Sequence, residues 1–412
     1  MINRNSIQKI LSLTGKNAPA NSRLNILLIV PHAPYPYYTG GAKRCIEKIR
    51  YFGKRHKLTV IILYKRDRQK REIRKCIGRY CHKLVFVKDF QKERRNNTLL
   101  PEKINQVFSG RLVKRLQKIK TVFDVAMFER IYAAVYKPYV KARYYILDEH
   151  NIESDILRQY AGFDNSQTEI ACHQAELMER FEVGNWPLFE LRTVVSEQDR
   201  KEMQPRCNAG ILVVENGVDS ANIQPVKYNN SNTILFMGHL AYKPNIEAIK
   251  YLVSEIMPEL HRAVPGLRLC IAGTTPTEEI LALKKFDYIE IEADPVDMAR
   301  MAERCCAAIV PLFLGGGTRI KILEAMAMGL PVISTTMGCE GLAVKNREHL
   351  LVCDTPGEFV DAVQEIKSSS HFRNELRKNG RYLVKTRYGW ENIFRQYETV
   401  LLSKLAGTLT EQ

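Results

Sequence analysis

Three consecutive glycines, Gly315, Gly316 and Gly317, stand directly before Thr318, Arg319, Ile320 and Lys321, with Glu324 one turn further on. The apolar run Ala307 to Leu314 ahead of them reads as a buried strand. Behind them, Ile320, Leu323, Met326 and Ala327 recur at helical spacing. A glycine turn from strand to helix bares backbone N–H groups and aims the positive end of the helix at whatever docks there. Anions suit that position, and Arg319 and Lys321 add side-chain charge. Glu324 is a poor phosphate partner but a good acceptor for sugar hydroxyls. Phosphate and sugar recognised side by side describe a nucleotide-sugar site. The plainer alternative is a tight turn, solvated charges and an acid worth about 0.3–1 kcal/mol against the helix dipole.

The elements that must position these groups alternate strand and helix twice. Asn25 to Val30, Leu58 to Leu63, Leu84 to Val87, Val122 to Phe128, Tyr144 to Leu147 and Leu191 to Val195 read as buried strands. Helical spacing runs from Ala42 to Phe52, Glu102 to Lys120 and Gln167 to Phe181. A second series has strands at Ile234 to Met237, Leu267 to Ala272, Ile289 to Ala293, Ala307 to Leu312, Pro331 to Ser334 and Leu350 to Cys353. Helices Asn245 to His261, Asp297 to Cys305, Ile320 to Met328 and Glu358 to Lys367 separate them. The pattern predicts an α/β fold of two Rossmann-like domains with parallel sheets. The expected division is a mobile segment 1–23, a first domain 24–214, a second domain 215–388 and a last helix 389–412 packing back on the first. Ligands of such domains lie beyond the carboxyl ends of the strands. Both glycine turns, Gly40-Gly41 and Gly315–Gly317, fall there, one per domain, so a cleft between the domains would hold one reactant on each side.

Composition narrows the function. The chain has 412 residues, 45% hydrophobic and 26% charged, which suits a folded protein of two domains. No apolar run is long enough to span a bilayer, and residues 1–23 lack the apolar stretch of a secretory signal. Ten cysteines without C-x-x-C spacing argue against zinc or disulfide frameworks and for a reducing cytosol. The net charge of +17 is uneven: residues 1–150 hold 34 Lys/Arg against 10 Asp/Glu. Such a field attracts nucleic acid, anionic lipid or an acidic substrate. No nucleic-acid-binding module is visible, so no nucleic-acid partner is expected. The basic flank of Glu102 to Lys120, with the Lys65 to Arg79 run, is expected to touch anionic headgroups, each basic residue worth about 1 kcal/mol near the surface. Asp148, Glu149 and His150 could suggest a metal cluster, but adjacent residues at a strand end point different ways and rarely close around one ion. Glu129 and Arg130, ending another strand, are further cleft candidates.

The run Pro311 to Ile333 (PLFLGGGTRIKILEAMAMGLPVI), with Leu235 to Asn245 (LFMGHLAYKPN), Val194 to Glu197 and Glu215 to Asp219 (ENGVD), resembles family-four retaining glycosyltransferases of the GGGTR type. The resemblance implies a GT-B fold and transfer of a hexosyl unit from a nucleotide-diphosphate sugar to a glycan or lipid-linked acceptor, with retention, in bacterial cell-surface polysaccharide synthesis. It implies that Glu324 holds the donor ribose and that Gly317, Thr318 and Arg319 cover the diphosphate and sugar. Lys243 lies near a basic residue that neutralises the diphosphate. His150 matches a histidine that reaches the transferred sugar, and Gly40 and Gly41 match the first-domain turn. Tyr35 is placed on the acceptor side. Two departures stand out: Gly316 replaces a glutamate that contacts the sugar in many members, and His239 replaces a phosphate-binding arginine. Lys243, Arg319 and Lys321 then carry more of the charge. No Asp-x-Asp motif stands in the cleft loops, so no metal and no cofactor beyond the donor co-substrate is expected. The expected location is cytoplasmic, peripheral on the inner face of the membrane. The rival readings are a GT-B enzyme that epimerises nucleotide sugars, a donor-binding pseudoenzyme and a basic nucleic-acid-binding protein.

Overall fold

The computed structural model describes residues 23–35, 37, 39–88, 97–162, 168–207, 210–315 and 319–410. Of the expected mobile segment, 1–22 lies outside these residues, as do Gly316, Gly317 and Thr318. Two all-parallel sheets organise the chain. The first orders its seven strands β3-β2-β1-β4-β5-β6-β7. They are β1 Asn25–Val30, β2 Lys57–Tyr64, β3 Lys83–Lys88, β4 Phe123–Glu129, β5 Ala142–Asp148, β6 Leu191–Val194 and β7 Ile211–Val213. The second orders six strands β10-β9-β8-β11-β12-β13. These are β8 Thr233–His239, β9 Arg268–Thr274, β10 Ile289–Ala293, β11 Ala307–Val310, β12 Val332–Ser334 and β13 Leu351–Val352. The central strands have no solvent-facing side: Ile26 through Val30 are all buried, as are Ile234 through Met237. A strand covered by helices on both faces needs a continuous apolar run, and these sequences supply it.

In each sheet the order reverses once, between β1 and β4 and between β8 and β11. Connections there leave to opposite faces and open a crevice at the carboxyl ends. The residues after β1 and β4 are Pro31-His32 and Arg130; β8 ends on His239, and β11 leads into the Gly315 turn. The helix Gly40–Arg55, capped by the Thr39 hydroxyl accepting from Ala42 N–H at 3.3 Å, starts at the first crevice. Ile320–Ala327 starts at the second.

The last helix, Trp390–Thr410, belongs to the second half of the chain but packs on the first sheet's side. Trp390, Ile393, Phe394, Tyr397 and Leu401 share a cluster with Ile49 and Phe52. Tyr51 donates to Glu398 at 2.6 Å and His56 meets the same carboxylate at 2.7 Å. Ile320 of the second half also enters this cluster. The two halves are thereby tied at both their helix and their cleft.

Several elements differ from expectation. The segment from Glu102 to Lys120 is two helices, Glu102–Val107 and Gly110–Gln117, because the Ser109 hydroxyl caps a new start by accepting from Leu112 N–H. Its basic residues Arg111, Lys114, Arg115 and Lys118 are exposed, as are Arg68, Arg71, Arg74 and Lys75 on the helix Asp67–Ile77. The run from Ala307 leaves the sheet at Val310, since Pro311 has no N–H for a ladder. Strand β7 and the helices Glu153–Ala161 and Ser370–Arg387 were not expected; β7 is only three residues long, and the two helices have mixed or strongly polar sequences that hide their period. No helix of the described residues is long and apolar enough to cross a membrane.

Phe394 is fully buried and stacks on Trp390 at 5.3 Å between ring centroids. Phe394→Ala should cost about 3–5 kcal/mol of first-domain stability, measured by urea unfolding. A loss below about 1 kcal/mol would show that this helix is not docked on the first domain.

Candidate functional site

The helix Gly40–Arg55 carries Arg44 and Lys48 four residues apart, hence on one face. That face meets the carboxyl ends of β4 and β5. Arg44 donates to Asp148 at 2.9 Å and to the carbonyls of Val214 and Glu215 at 2.8 and 3.0 Å. The Lys48 ammonium lies between Glu129 and Asp148, bonded to both. Thr193 adds a hydroxyl to Asp148. Arg44, Lys48, Glu129 and Asp148 are all buried, so two cations balance two anions inside the protein. Burial alone would raise the Glu129 pKa, but Lys48 and the hydrogen bond from His150 outweigh it and hold the carboxylate ionised.

His150 completes this wall. Its Nδ1 accepts from Arg130 Nε at 3.2 Å, and its Nε2 meets Glu129 at 2.7 Å. A nitrogen that accepts carries no proton, so the proton sits on Nε2 and is donated to Glu129. Burial lowers the imidazole pKa to about 3; the Glu129 bond opposes this and the Arg130 charge adds to it. His150 is therefore neutral with both nitrogens engaged. Gly41 makes the arrangement possible: a Cβ there would lie 2.2 Å from Arg130 Nη2 and 2.9 Å from His150 Nδ1. Glu129, Asp148 and His150 can bring one ligand atom each within 4.8 Å of the others, which is a possible metal triad. Asp148 and His150 do converge, contrary to the sequence argument from adjacent residues, because Glu149 between them points the other way, to Trp186 and the Ile131 N–H. Lys48, bonded to both carboxylates, already supplies the charge that a metal would bring there.

The opposite wall is built on β8, β9 and the helix Ile320–Ala327. Lys321 is directed inward: its ammonium donates to Asn245 Oδ1 at 2.6 Å and lies 4.5 Å from the Phe236 ring centroid. Burial, then the nearby Arg319 charge, lowers its pKa to about 7, with Glu324 opposing. Gly238 leaves room for it, since a Cβ there would come 3.0 Å from the Lys321 ammonium. Arg319 is buried, donates to the Gly315 carbonyl at 2.7 Å, and has its pKa lowered by burial. His239 meets the Thr274 carbonyl and hydroxyl, both at 3.3 Å.

Between the walls lies a cavity of about 510 Å³ lined by His32, Gly40, Gly41, Lys43, Glu129, Arg130, His150, His239, Arg319, Lys321 and Glu324, among others. That volume suits a ligand of nucleotide size. The walls touch across it. Glu324 is ion-paired with Lys43, and Gly315 N–H donates to Gln159 Oε1 at 3.0 Å. Two expected residues lie elsewhere. Lys243 begins the helix Lys243–Tyr251, with its ammonium 5.8 Å from the Tyr160 ring centroid, and does not line the cavity. Tyr35 packs edge-on against Tyr37 at 5.2 Å, away from the cavity lining. Lys43, Arg44 and Lys48 were missed in the sequence, and Asp148 was weighed there only as a metal ligand. The spacing of Arg44 and Lys48 directly after the Gly40-Gly41 turn was the available signal.

Residues 231–369 match the family model described as "Glycosyl transferases group 1". Among curated proteins, the chain is 23% identical over 184 residues to an uncharacterized 44.6 kDa protein in the cps region of Klebsiella pneumoniae, covering 42% of this chain and 47% of that one. It is 25% identical over 214 residues to the glycogen synthase of Mycobacterium tuberculosis, covering 48% and 50%. The chain thus spans about half the length of the curated relatives it matches. Sucrose-phosphate synthase from Thermosynechococcus elongatus superposes with a TM-score of 0.69 at 15% identity, over 93% of this chain and 100% of that one. Anabaena Alr3699/HepE, in complex with UDP-glucose, gives 0.65 at 12%, over 94% and 100%. The fold is therefore the GT-B fold, two Rossmann-like domains facing across a cleft, and its second half carries a group 1 glycosyl transferase domain.

A histidine whose folded pKa lies below its unfolded value of about 6.5 contributes stability that is present above 6.5 and is lost as pH falls toward 3. Between pH 6.5 and 5 the His150 share should be about 1.4 kcal/mol per pH unit. His150→Asn should flatten the unfolding free energy against pH by that amount; an unchanged slope would mean that His150 is not held neutral.

Proposed function

We propose that the protein is a retaining glycosyltransferase that moves a hexosyl unit from a nucleotide-diphosphate sugar to a hydroxyl of a glycan or lipid-linked acceptor. The observation that carries this reading is the convergence of Arg319, Lys321 and Glu324 on one cavity wall at the switch point of the second sheet. Two cations there suit a diphosphate, and a carboxylate beside them suits ribose hydroxyls. Lys321, with its pKa near neutrality, gains charge when a phosphate arrives, so the site strengthens as it fills.

In the reaction, the bond between the anomeric carbon and the diphosphate oxygen breaks while the acceptor oxygen bonds the same carbon. The diphosphate leaves with the electron pair and takes the acceptor proton. Arg319 and Lys321 stabilise the charge that develops on it, in a site from which the opposed walls exclude water. The acids lining the cavity among the described residues are Glu129 and Glu324. Glu129 is committed to Lys48 and His150, and Glu324 to Lys43. Neither is a ready nucleophile, which supports a front-face route over a covalent glycosyl intermediate. His150, with both nitrogens engaged, serves by holding Arg130 and presenting its ring edge. Gly316, Gly317 and Thr318 would lend backbone N–H groups, and the diphosphate charge is met by the protein's own cations without a metal. The exposed basic residues of the first domain support a place at an anionic membrane surface, on its cytoplasmic side.

Screening UDP-, GDP- and ADP-sugars by thermal stabilisation identifies the donor, because a ligand raises stability by mass action. Glu324→Ala should leave the empty protein within about 1 kcal/mol of wild type, since it removes one partly exposed ion pair. It should weaken the donor by roughly tenfold or more. Undiminished donor affinity in this variant, or transfer of labelled sugar at the wild-type rate, would overturn the assignment. Lys321→Met should lower turnover with bound donor by roughly 10²-fold, read in single-turnover transfer.

A further inference from the structure

Arg130 holds an unusual backbone and an unusual charge. Its φ of 63° and ψ of 158° lie in a region that side chains other than glycine's rarely occupy. Its N–H is tied to the Asp148 carbonyl at 2.8 Å, and the next residue's N–H to Glu149 at 2.9 Å, so the strained conformation is fixed from both sides. The result is a guanidinium laid over Gly41 on the cavity wall. Its Nε donates to a neutral imidazole, and among the described residues neither terminal nitrogen has a hydrogen-bond partner, nor does any carboxylate pair with it. Three other cations nearby are answered: Lys43 by Glu324, Lys48 by Glu129 and Asp148, Lys103 by Glu153 at 3.6 Å. His32 lines the same cavity and is exposed, with its ring edge-on to Tyr132 at 5.6 Å between centroids and the charges of Arg130, Lys65 and Lys103 around it.

Strain concentrates at sites where it is used, and an unneutralised arginine fork in a cleft matches a planar or tetrahedral oxyanion. The two sheets present their switch points to each other. The second carries Arg319 and Lys321 for the donor diphosphate. The first carries His32 after β1 and Arg130 after β4. We propose that Arg130, with His32, binds a phosphate group on the acceptor, so that the acceptor is itself a phosphorylated or phosphate-linked molecule. This deepens the glycosyltransferase reading and rests on it.

The test uses the full chain loaded with whichever of UDP, GDP or ADP stabilises it most, so that the donor site is filled. Inorganic phosphate is then titrated calorimetrically. Wild type should bind it, Arg130→Gln should bind at least tenfold more weakly, and Arg130→Lys should fall between. Arg130→Gly relieves the strained backbone, so it should melt no lower than wild type while still losing phosphate; this separates loss of the fold from loss of the site. Competition by a soluble hexose phosphate points to a free phosphorylated acceptor, and competition by a detergent-dispersed polyprenyl phosphate to a lipid-borne one. Competition by neither overturns the proposal. So does equal phosphate binding in Arg130→Gln and wild type, or a tenfold loss of nucleoside diphosphate affinity in that variant with phosphate binding intact, which would move Arg130 to the donor. A protein that ignores all three nucleoside diphosphates yet binds phosphate through Arg130 would sink the donor assignment and leave this one standing.

Discussion

Two acids at the carboxyl ends of neighbouring strands, Glu129 and Asp148, are neutralised by two cations of a single helix, Arg44 and Lys48. All four are out of water, where an unpaired charge costs several kcal/mol. Removing one leaves its partner stranded, so the four hold each other and fix the helix Gly40–Arg55 against β4 and β5. The same contacts set where Gly41, Arg130 and His150 stand. Arg44 reaches further, to Val214, Glu215 and Asn216, where the chain leaves the first sheet for the second domain. One buried charge cluster thus positions a cavity wall and anchors the connection between the domains.

The second wall works by a different balance. The half-buried Lys321 ammonium lies against an amide oxygen and an aromatic ring, the Arg319 guanidinium is buried against a backbone carbonyl, and desolvation lowers both pKa values. A cation held that way is preorganised for an anion that comes and goes. The cross-cleft pair Lys43–Glu324 is partly exposed, so it is worth at most about 1 kcal/mol and a ligand can displace it. The firm contact between the halves lies behind the cavity, where the Trp390–Thr410 helix packs on the first domain. The structure is therefore tightly joined behind the cleft and loosely joined across it, as closure on a donor requires.

The second wall was legible in the sequence because its chemistry is local. Gly315, Arg319, Lys321 and Glu324 lie within ten residues, and strand and helix periods flank them. The first wall was not, because its meaning is tertiary: Lys48 meets Glu129 across 81 residues and Arg44 meets Asp148 across 104. Glu129 and Arg130 could be placed at a strand end, but nothing in the sequence says which helix answers them. Lys243 was placed near the diphosphate by the family resemblance; in the structure it begins the helix Lys243–Tyr251 with its ammonium 5.8 Å from the Tyr160 ring centroid. Tyr35, placed on the acceptor side, packs edge-on against Tyr37 instead of lining the cavity. The strand alternation was read correctly for both sheets, since buried parallel strands announce themselves as unbroken apolar runs; the short β7 did not.

The central claim is that a diphosphate binds against Lys321. With its pKa lowered to about 7, this lysine is partly deprotonated at pH 7 when the cleft is empty. A bound diphosphate raises that pKa, and a nucleotide sugar, whose diphosphate is esterified at both ends, does not titrate near neutrality itself. Calorimetry at pH 7 in two buffers of different ionisation enthalpy should then register net proton uptake on donor binding, absent in Lys321→Met. Donor binding with no proton uptake, or with the same uptake in Lys321→Met, would contradict the account.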